Sequence, residues 1–299
     1  MNEQWLWDRS GPPDPEIEEL ERTMAPLRYR HRAPRAARPW RWAAAAAVVA
    51  AAAGLIVWNA PAARQTQWQV AGARLRQGQL VRTGNESITI EADSVGRVDL
   101  APNSELRAFA EKRLSLEHGE LHAFIWAPPR EFVVETPSAR AVDLGCEYTL
   151  NVDAAGDGLL KVSMGWVAFA INGRESFIPA GAQCRTRKRG GPGIPYFEDA
   201  PEALRLGVEA FERGDRSALP AILAAAEQKD GLTLWHVMTR VEGQDRGAVF
   251  DRLAQLEKLP PEVSRARVLR GDPQAIDLCW NALGLDSTVW WRGWERNWK

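Results

Sequence analysis

The sequence predicts a multidomain chain of mixed α and β class: a single transmembrane helix, an all-β domain of the sandwich or β-roll kind, and an all-α C-terminal domain. Three observations predict it. The run Ala43–Trp58 contains 16 residues and no charge. Apolar residues then alternate with period two from about Gln67 to Thr186. From Ala200 onward their spacing changes to three and four. The 299 residues carry 38 Lys+Arg and 39 Asp+Glu, a formal net charge of −1. That balance argues against a protein that coats nucleic acid, and no direct nucleic-acid contact is expected.

The first element is a stub over residues 1–39. Asp14-Pro15 reads as a helix start, with Asp as N-cap and Pro in the first helical position. Ile17, Leu20, Met24 and Leu27 follow at spacings of 3, 4 and 3, one apolar stripe. Glu16, Glu18, Glu19 and Glu21 suit the positive end of the helix dipole. So short a helix is marginal alone in water. It predicts either a partner-binding helix, with these four residues as the contact, or a frayed tail. Trp5 and Trp7 add apolar area.

The membrane segment is placed over 40–60. The apolar run is a little short of the roughly 17 residues usually needed. Its flanks carry the assignment: Trp40 and Trp42 precede it and Trp58 ends it, as in interfacial aromatic belts. From Arg22 to Arg41 there are seven Arg and no acidic residue, whereas 59–78 carry only Arg64, Arg74 and Arg76. The positive-inside rule puts residues 1–39 in the cytoplasm and 60–299 outside it. A cleaved signal peptide fits badly, because about 40 residues precede the run. The basic stretch 28–41 is expected to touch anionic lipid.

The β domain is placed over 65–190. Ile88–Ile90, Val98–Leu100, Leu114–Leu116, Tyr148–Val152, Leu160–Val162 and Val167–Phe169 alternate. Turn signals separate them at Gly84-Asn85, Pro102-Asn103, His118-Gly119, Pro128-Pro129, Gly156–Gly158 and Asn172-Gly173. Within this stretch four motifs stand in order. They are Phe132-Val133-Val134-Glu135-Thr136-Pro137, Leu144-Gly145-Cys146-Glu147-Tyr148, Val162-Ser163-Met164-Gly165-Trp166-Val167 and Ala180-Gly181. This order resembles the FecR-like family, the extracytoplasmic domain of bacterial membrane sensors and anti-sigma factors. The sequence departs from that family's pattern in Cys146 for the usual Thr, Tyr148 for Phe, and Met164-Gly165-Trp166 for a more polar turn. The motif residues read as structural. Gly145 and Gly165 stand at strand junctions, and Phe132, Val134, Val142, Leu144, Tyr148, Leu150, Val162 and Val167 read as inward positions.

Enzyme chemistry is not expected. His118 and His122 flank a glycine turn and lack the helical H-E-x-x-H arrangement. No nucleophile elbow or phosphate loop occurs. Catalytic residues, metal ligands and cofactors are therefore all read as none. Gly190-Gly191-Pro192-Gly193 reads as a linker, preceded by the basic run Arg185, Arg187, Lys188 and Arg189. Of the three cysteines, Cys146 and Cys184 fall in the β domain. Two readings stand: a disulfide, if the Cα atoms approach within about 7 Å, or two small buried apolar side chains.

The helical domain is placed over 200–299, with five to seven short helices. Leu204, Val208 and Phe211, then Leu219, Ile222 and Ala226, then Leu234, Val237 and Met238 repeat at helical spacing. Asp272-Pro273 opens another helix toward Ile276, Cys279 and Trp280. Trp290, Trp294 and Trp298 would share one face, as core or as a partner, carbohydrate or membrane contact.

The resemblance implies a non-enzymatic single-pass regulator of the bacterial inner membrane. It would relay an extracytoplasmic signal, from a protein or polymer ligand, to a cytoplasmic sigma factor. The alternative is an envelope scaffold or ligand-binding protein with no sigma-factor partner.

Overall fold

The computed structural model describes residues 14–27, 68–110 and 112–285. Two compact units divide at Ala63/Arg64. The 40–60 segment, Trp5, Trp7 and the tryptophan-rich tail lie outside the described residues. Among those described, no helix is long and apolar enough to cross a membrane.

In the first unit, helix α1 spans Pro15–Met24. The Asp14 side chain accepts a hydrogen bond from the Glu16 N–H at 3.0 Å, the cap that the Asp-Pro pair implies. A 3₁₀ turn, Ala25–Leu27, continues it.

The second unit begins with sixteen strands. They are β1 (Gln69–Val70), β2 (Ala73–Arg74), β3 (Leu80–Arg82), β4 (Ile88–Ala92), β5 (Gly96–Leu100), β6 (Glu105–Ala110), β7 (Arg113–Ile125) and β8 (Val133–Glu135). β9 (Arg140–Asp143), β10 (Glu147–Val152), β11 (Gly158–Met164), β12 (Trp166–Ile171), β13 (Arg174–Pro179), β14 (Ala182–Arg187), β15 (Gly191–Pro192) and β16 (Tyr196–Phe197) follow. Two sheets share one strand. The first half of β7 pairs with β6 and, in parallel, with β8. Its second half pairs with β5 and β10. One sheet continues through β9 and β12 to β13, the other through β11 to β14 and β15. β12 and β13 then fold back against β14 and β15, which closes the sandwich.

The bend in β7 corrects one expectation. His118-Gly119 is not a turn between two strands but the crossing point inside a single strand of 13 residues. Leu114 and Leu116 are buried before it, Leu121, Ala123 and Ile125 after it. The inward set thus shifts from even to odd positions, as a one-residue irregularity demands. Gly119 takes a φ of +97°, and a Cβ there would overlap the Ser104 side chain. Ser104 Oγ instead accepts the Glu120 N–H at 3.0 Å.

The Asn172-Gly173 turn is as read: both residues have positive φ, 50° and 79°, the signature of a two-residue hairpin that matches strand twist. Gly190–Gly193 is not a linker. Gly191 and Pro192 pair with Thr186 and Arg187 as β15, and the Gly193 N–H donates to the Arg185 carbonyl. Glycine is required there because a Cβ on Gly191 would press on Ile171 at 2.6 Å.

Six α-helices follow among the described residues: α2 (Glu202–Glu212), α3 (Leu219–Ala225), α4 (Gly231–Met238), α5 (Gly243–Leu256), α6 (Arg265–Leu269) and α7 (Pro273–Ala282). The Asp272 side chain accepts from the Gln274 and Ala275 N–H groups, capping α7. The helical residues Leu204, Val208, Ile222, Leu234, Val237, Met238, Leu253 and Cys279 are buried. β strands and helices share one hydrophobic core. Every residue of α4 is buried, because this helix lies between the sheet and its neighbours. Trp166 through Phe169 in β12 are consecutively buried, so that strand is covered on both faces. The seam is aromatic. The Trp280 ring lies 4.8 Å from Trp235, 5.6 Å from Phe177 and 6.0 Å from Trp166, centroid to centroid.

Candidate functional site

The four motifs meet at one junction. Phe132 at the entry to β8 is buried against Trp68, with ring centroids 5.7 Å apart. Its carbonyl accepts the Asp143 N–H at 3.0 Å. Leu144 follows, and its N–H donates to the Trp166 carbonyl at 3.1 Å. Gly145 and Gly165 then turn in the left-handed region, at φ of +87° and +73°. Their approach is so close that a Cβ on Gly165 would overlap the Gly145 carbonyl oxygen. The Gly165 carbonyl accepts from Ala180 at 2.9 Å, and Gly181 donates to Val162 at 2.8 Å. Tyr148, Val162 and Val167 line the core.

Thr136 and Pro137 stand apart, in the turn between β8 and β9. Thr136 Oγ1 bonds both ends of Ala139 there, at 2.8 and 2.9 Å. Ser138 meets Thr186 across the sheets.

Of the two readings of the cysteines the structure bears out the buried apolar one, and one strand expectation fails. Cys146 and Cys184 are free buried thiols, not a disulfide. The Cys146 thiol donates to Asp143 Oδ2, and that of Cys184 faces the Gly193 carbonyl at 3.4 Å. The register of β9 is one residue off. Ala141 and Asp143 point inward, and Val142 is only half-buried. A carboxylate therefore occupies a core position that alternation had given to valine.

Asp143 is fully buried. Burial pushes its carboxyl up to about 7, although the Cys146 S–H and the Gly145 and Cys146 N–H groups all favour the charged form. Burial raises the Cys146 thiol as well, with the Asp143 charge adding to it. This pair was not legible as a site: the sole hint is an acidic residue within the apolar run Ala141–Cys146. It links stability to pH with a definite sign. A carboxyl raised on folding contributes most below its unfolded value near 3.8 and loses that contribution as pH rises through about 7. Urea melts of residues 64–299 should show wild type losing roughly 2–3 kcal/mol more than Asp143→Asn between pH 5 and 8. Parallel pH profiles for the two proteins would show that Asp143 is ionised throughout.

In the first unit, Ile17, Leu20, Met24 and Leu27 are 59, 63, 53 and 78% exposed. All four residues of the stripe read from the sequence are thus exposed, three on α1 and Leu27 in the 3₁₀ turn after it. On the β body the large exposed apolar residues are Phe109, Phe124, Trp126 and Met164. Phe124 and Trp126 are in edge contact at 6.0 Å. His122 lies 3.0 Å from Glu147 on the sheet surface. No group of three or more His, Cys, Asp or Glu residues that could hold a metal ion occurs among the described residues.

The family model described as FecR protein matches residues 79–168. Two solved structures resemble part of the chain, both crystal structures of a candidate anti-sigma factor from Parabacteroides distasonis ATCC 8503. The 2.50 Å structure is 16% identical, with a TM-score of 0.35, over 41% of this chain and 61% of that one. The 1.65 Å structure is 17% identical, also at 0.35, over 46% and 65%. The chain thus spans less than two thirds of each of those proteins. No curated protein matches it. The family match contains three of the four motifs in full, and the fourth closes on them through the Gly165–Ala180 bond, so residues 79–168 carry the likeness to FecR proteins.

Proposed function

We propose that the chain is a non-enzymatic, single-pass regulator in which the FecR-like body lies outside the bacterial inner membrane and α1 engages a sigma factor in the cytoplasm. The exposed stripe of α1, on a chain that carries a FecR-like domain, is the observation that supports this reading most directly. A ten-residue helix with no buried residue is marginal by itself. Burying the four apolar side chains against a partner would stabilise both the helix and the complex. The uncharged 43–58 run, bracketed by Trp40, Trp42 and Trp58, supports a membrane crossing between stub and body. The exposed Phe124, Trp126 and Met164 offer the body an apolar surface for a protein or polymer signal.

One experiment tests topology and partner together. Protease added to spheroplasts should remove the body and leave the stub, and the full-length protein should co-purify with a sigma factor from detergent extracts. Leu20→Asp or Met24→Asp should reduce that recovery at least about tenfold, because each places an unpaired charge in the contact. A protected body would overturn the topology. Equal recovery from both variants, or no sigma factor from wild type, would favour the envelope scaffold.

A further inference from the structure

A second feature belongs to neither the motif junction nor the stub. A cavity of about 170 Å³ opens where β13, β14 and β15 meet the end of α2. Four arginines line it: Arg174, Arg187, Arg216 and Arg240. One acidic side chain, Glu212, faces them. The remaining lining is largely glycine, at 190, 191, 193 and 214, so the walls are backbone and the projecting groups are guanidinium.

Each charge is held by a definite contact. Arg240 Nη2 donates to Ser176 Oγ and to the Gly193 carbonyl, both at 2.6 Å. Arg174 Nη1 donates to the Gly190 carbonyl at 2.7 Å. The Arg216 guanidinium stacks on the Phe211 ring at 4.7 Å. Arg187 lies 3.8 Å from Asp157, a loose ion pair, and its buried Nε has no hydrogen-bond partner. The Glu212 carboxylate accepts the Ile194 N–H and lies in the field of Arg240, Arg187 and Arg174, so it offsets part of their charge and leaves the four arginines in excess. Most of these guanidinium contacts go to neutral oxygens or to a ring face, which fix position without cancelling charge. Like charges so placed repel. Burial, and then the field of Arg174, pushes the Arg240 guanidinium down to about 10.

The loop that shapes the cavity is itself constrained. A Cβ on Gly193 would overlap the Glu212 carboxylate and come within 2.6 Å of the Arg185 carbonyl. The backbone must pass there bare, which brings the carbonyl that orients Arg240 into place.

We infer that this cavity is a binding site for a small oxyanion, a phosphate or a compact dicarboxylate, held by Arg174, Arg187, Arg216 and Arg240. Planar guanidinium groups match such oxygens two at a time, and a partly enclosed site strengthens the attraction relative to open water. An anion bound there would bridge the β strands to α2 and to the segment after α4. The inference does not depend on what α1 binds.

Calorimetric titration of the detergent-solubilised full chain tests it. Inorganic phosphate and succinate are the two probes, each in chloride buffer at constant ionic strength. At least one should give saturable heat, and which one does assigns the site to phosphate or to carboxylate; both would define a general oxyanion site. Arg174→Gln and Arg216→Gln alter exposed side chains at the rim and should each weaken binding about tenfold, with an unchanged melting temperature in the absence of anion. Arg113→Gln, on β7, should bind as wild type. The inference is overturned if neither anion gives heat, if both rim variants bind as tightly as wild type, or if the Arg113 variant weakens binding equally.

Discussion

Gly165→Val is expected to destabilise the body by at least about 3–5 kcal/mol. Two effects add. A φ of +73° is adopted cheaply only by glycine, and a β-branched side chain is the worst substitute. Independently, the new Cβ would overlap the Gly145 carbonyl oxygen and lie 3.1 Å from the Cys146 Cα. These are backbone atoms, so no rotamer change relieves the overlap. Relief requires the β9–β10 connection to move away from the β11–β12 connection, where Leu144 bonds Trp166. Urea melts of residues 64–299 would measure the loss. Thr149→Ser, at a half-buried position on β10, should cost well under about 1 kcal/mol. Equal midpoints for the two variants would mean that the two glycine turns are not in contact.

Trp280→Ala is the second large effect, a loss of about 3–5 kcal/mol. Trp280 is 1% exposed and meets sheet and helix together. Besides Trp166, Phe177 and Trp235, its ring lies 5.9 Å from His236. That imidazole accepts the Phe177 N–H at 3.1 Å through Nε2, and Nδ1 donates to the Leu232 carbonyl at 2.9 Å. Burial, with Arg240 adding to it, pushes the imidazole down to about 3, so it stays neutral and the pairing persists across the physiological range. Removing the indole leaves a cavity bordered by this fixed network, which cannot collapse into it. Leu206→Ala, at a residue 57% exposed on α2, should fall within about 0.5 kcal/mol of wild type. A Trp280→Ala melt within about 1 kcal/mol of wild type would show that the seam contributes little to holding helices on the sheet.

The elements that local chemistry dictates were readable in the sequence. Alternation located most strands, Asn-Gly located a hairpin, and Asp-Pro located the starts of α1 and α7. Elements set by long-range pairing were not. Gly119 has the local signature of a turn, and only pairing to both β5 and β6 makes it a bend within a strand. Gly190–Gly193 looks like a linker because pairing with β14 leaves no trace in residue type. The run Trp166–Phe169 holds the information that β12 is covered on both faces, but not what covers it. At the motif junction the two glycines were legible. The buried carboxyl of Asp143 was not, since a shift of one residue in β9 exchanges every inward side chain for an outward one. Nothing local brings Arg174, Arg187, Arg216 and Arg240 together. They come from two strands, a turn and the end of a helix.

The shared strand β7 also dictates an order of assembly. Its partners β5 and β6 precede it in the chain, while β8 and β10 follow. A nascent chain emerging N-terminus first therefore completes one flank of β7 before the other flank has been synthesised. In that interval both halves present a row of unsatisfied amide and carbonyl groups to anything nearby. Arrival of β8 and β10 closes the two rows, and the outer strands add in sequence order from there. The helices come last, because the face they cover does not exist until β12 and β13 have paired. Exposure of unpaired strand edge during synthesis is thus expected to peak in one short window, opened by β7 and shut by β10.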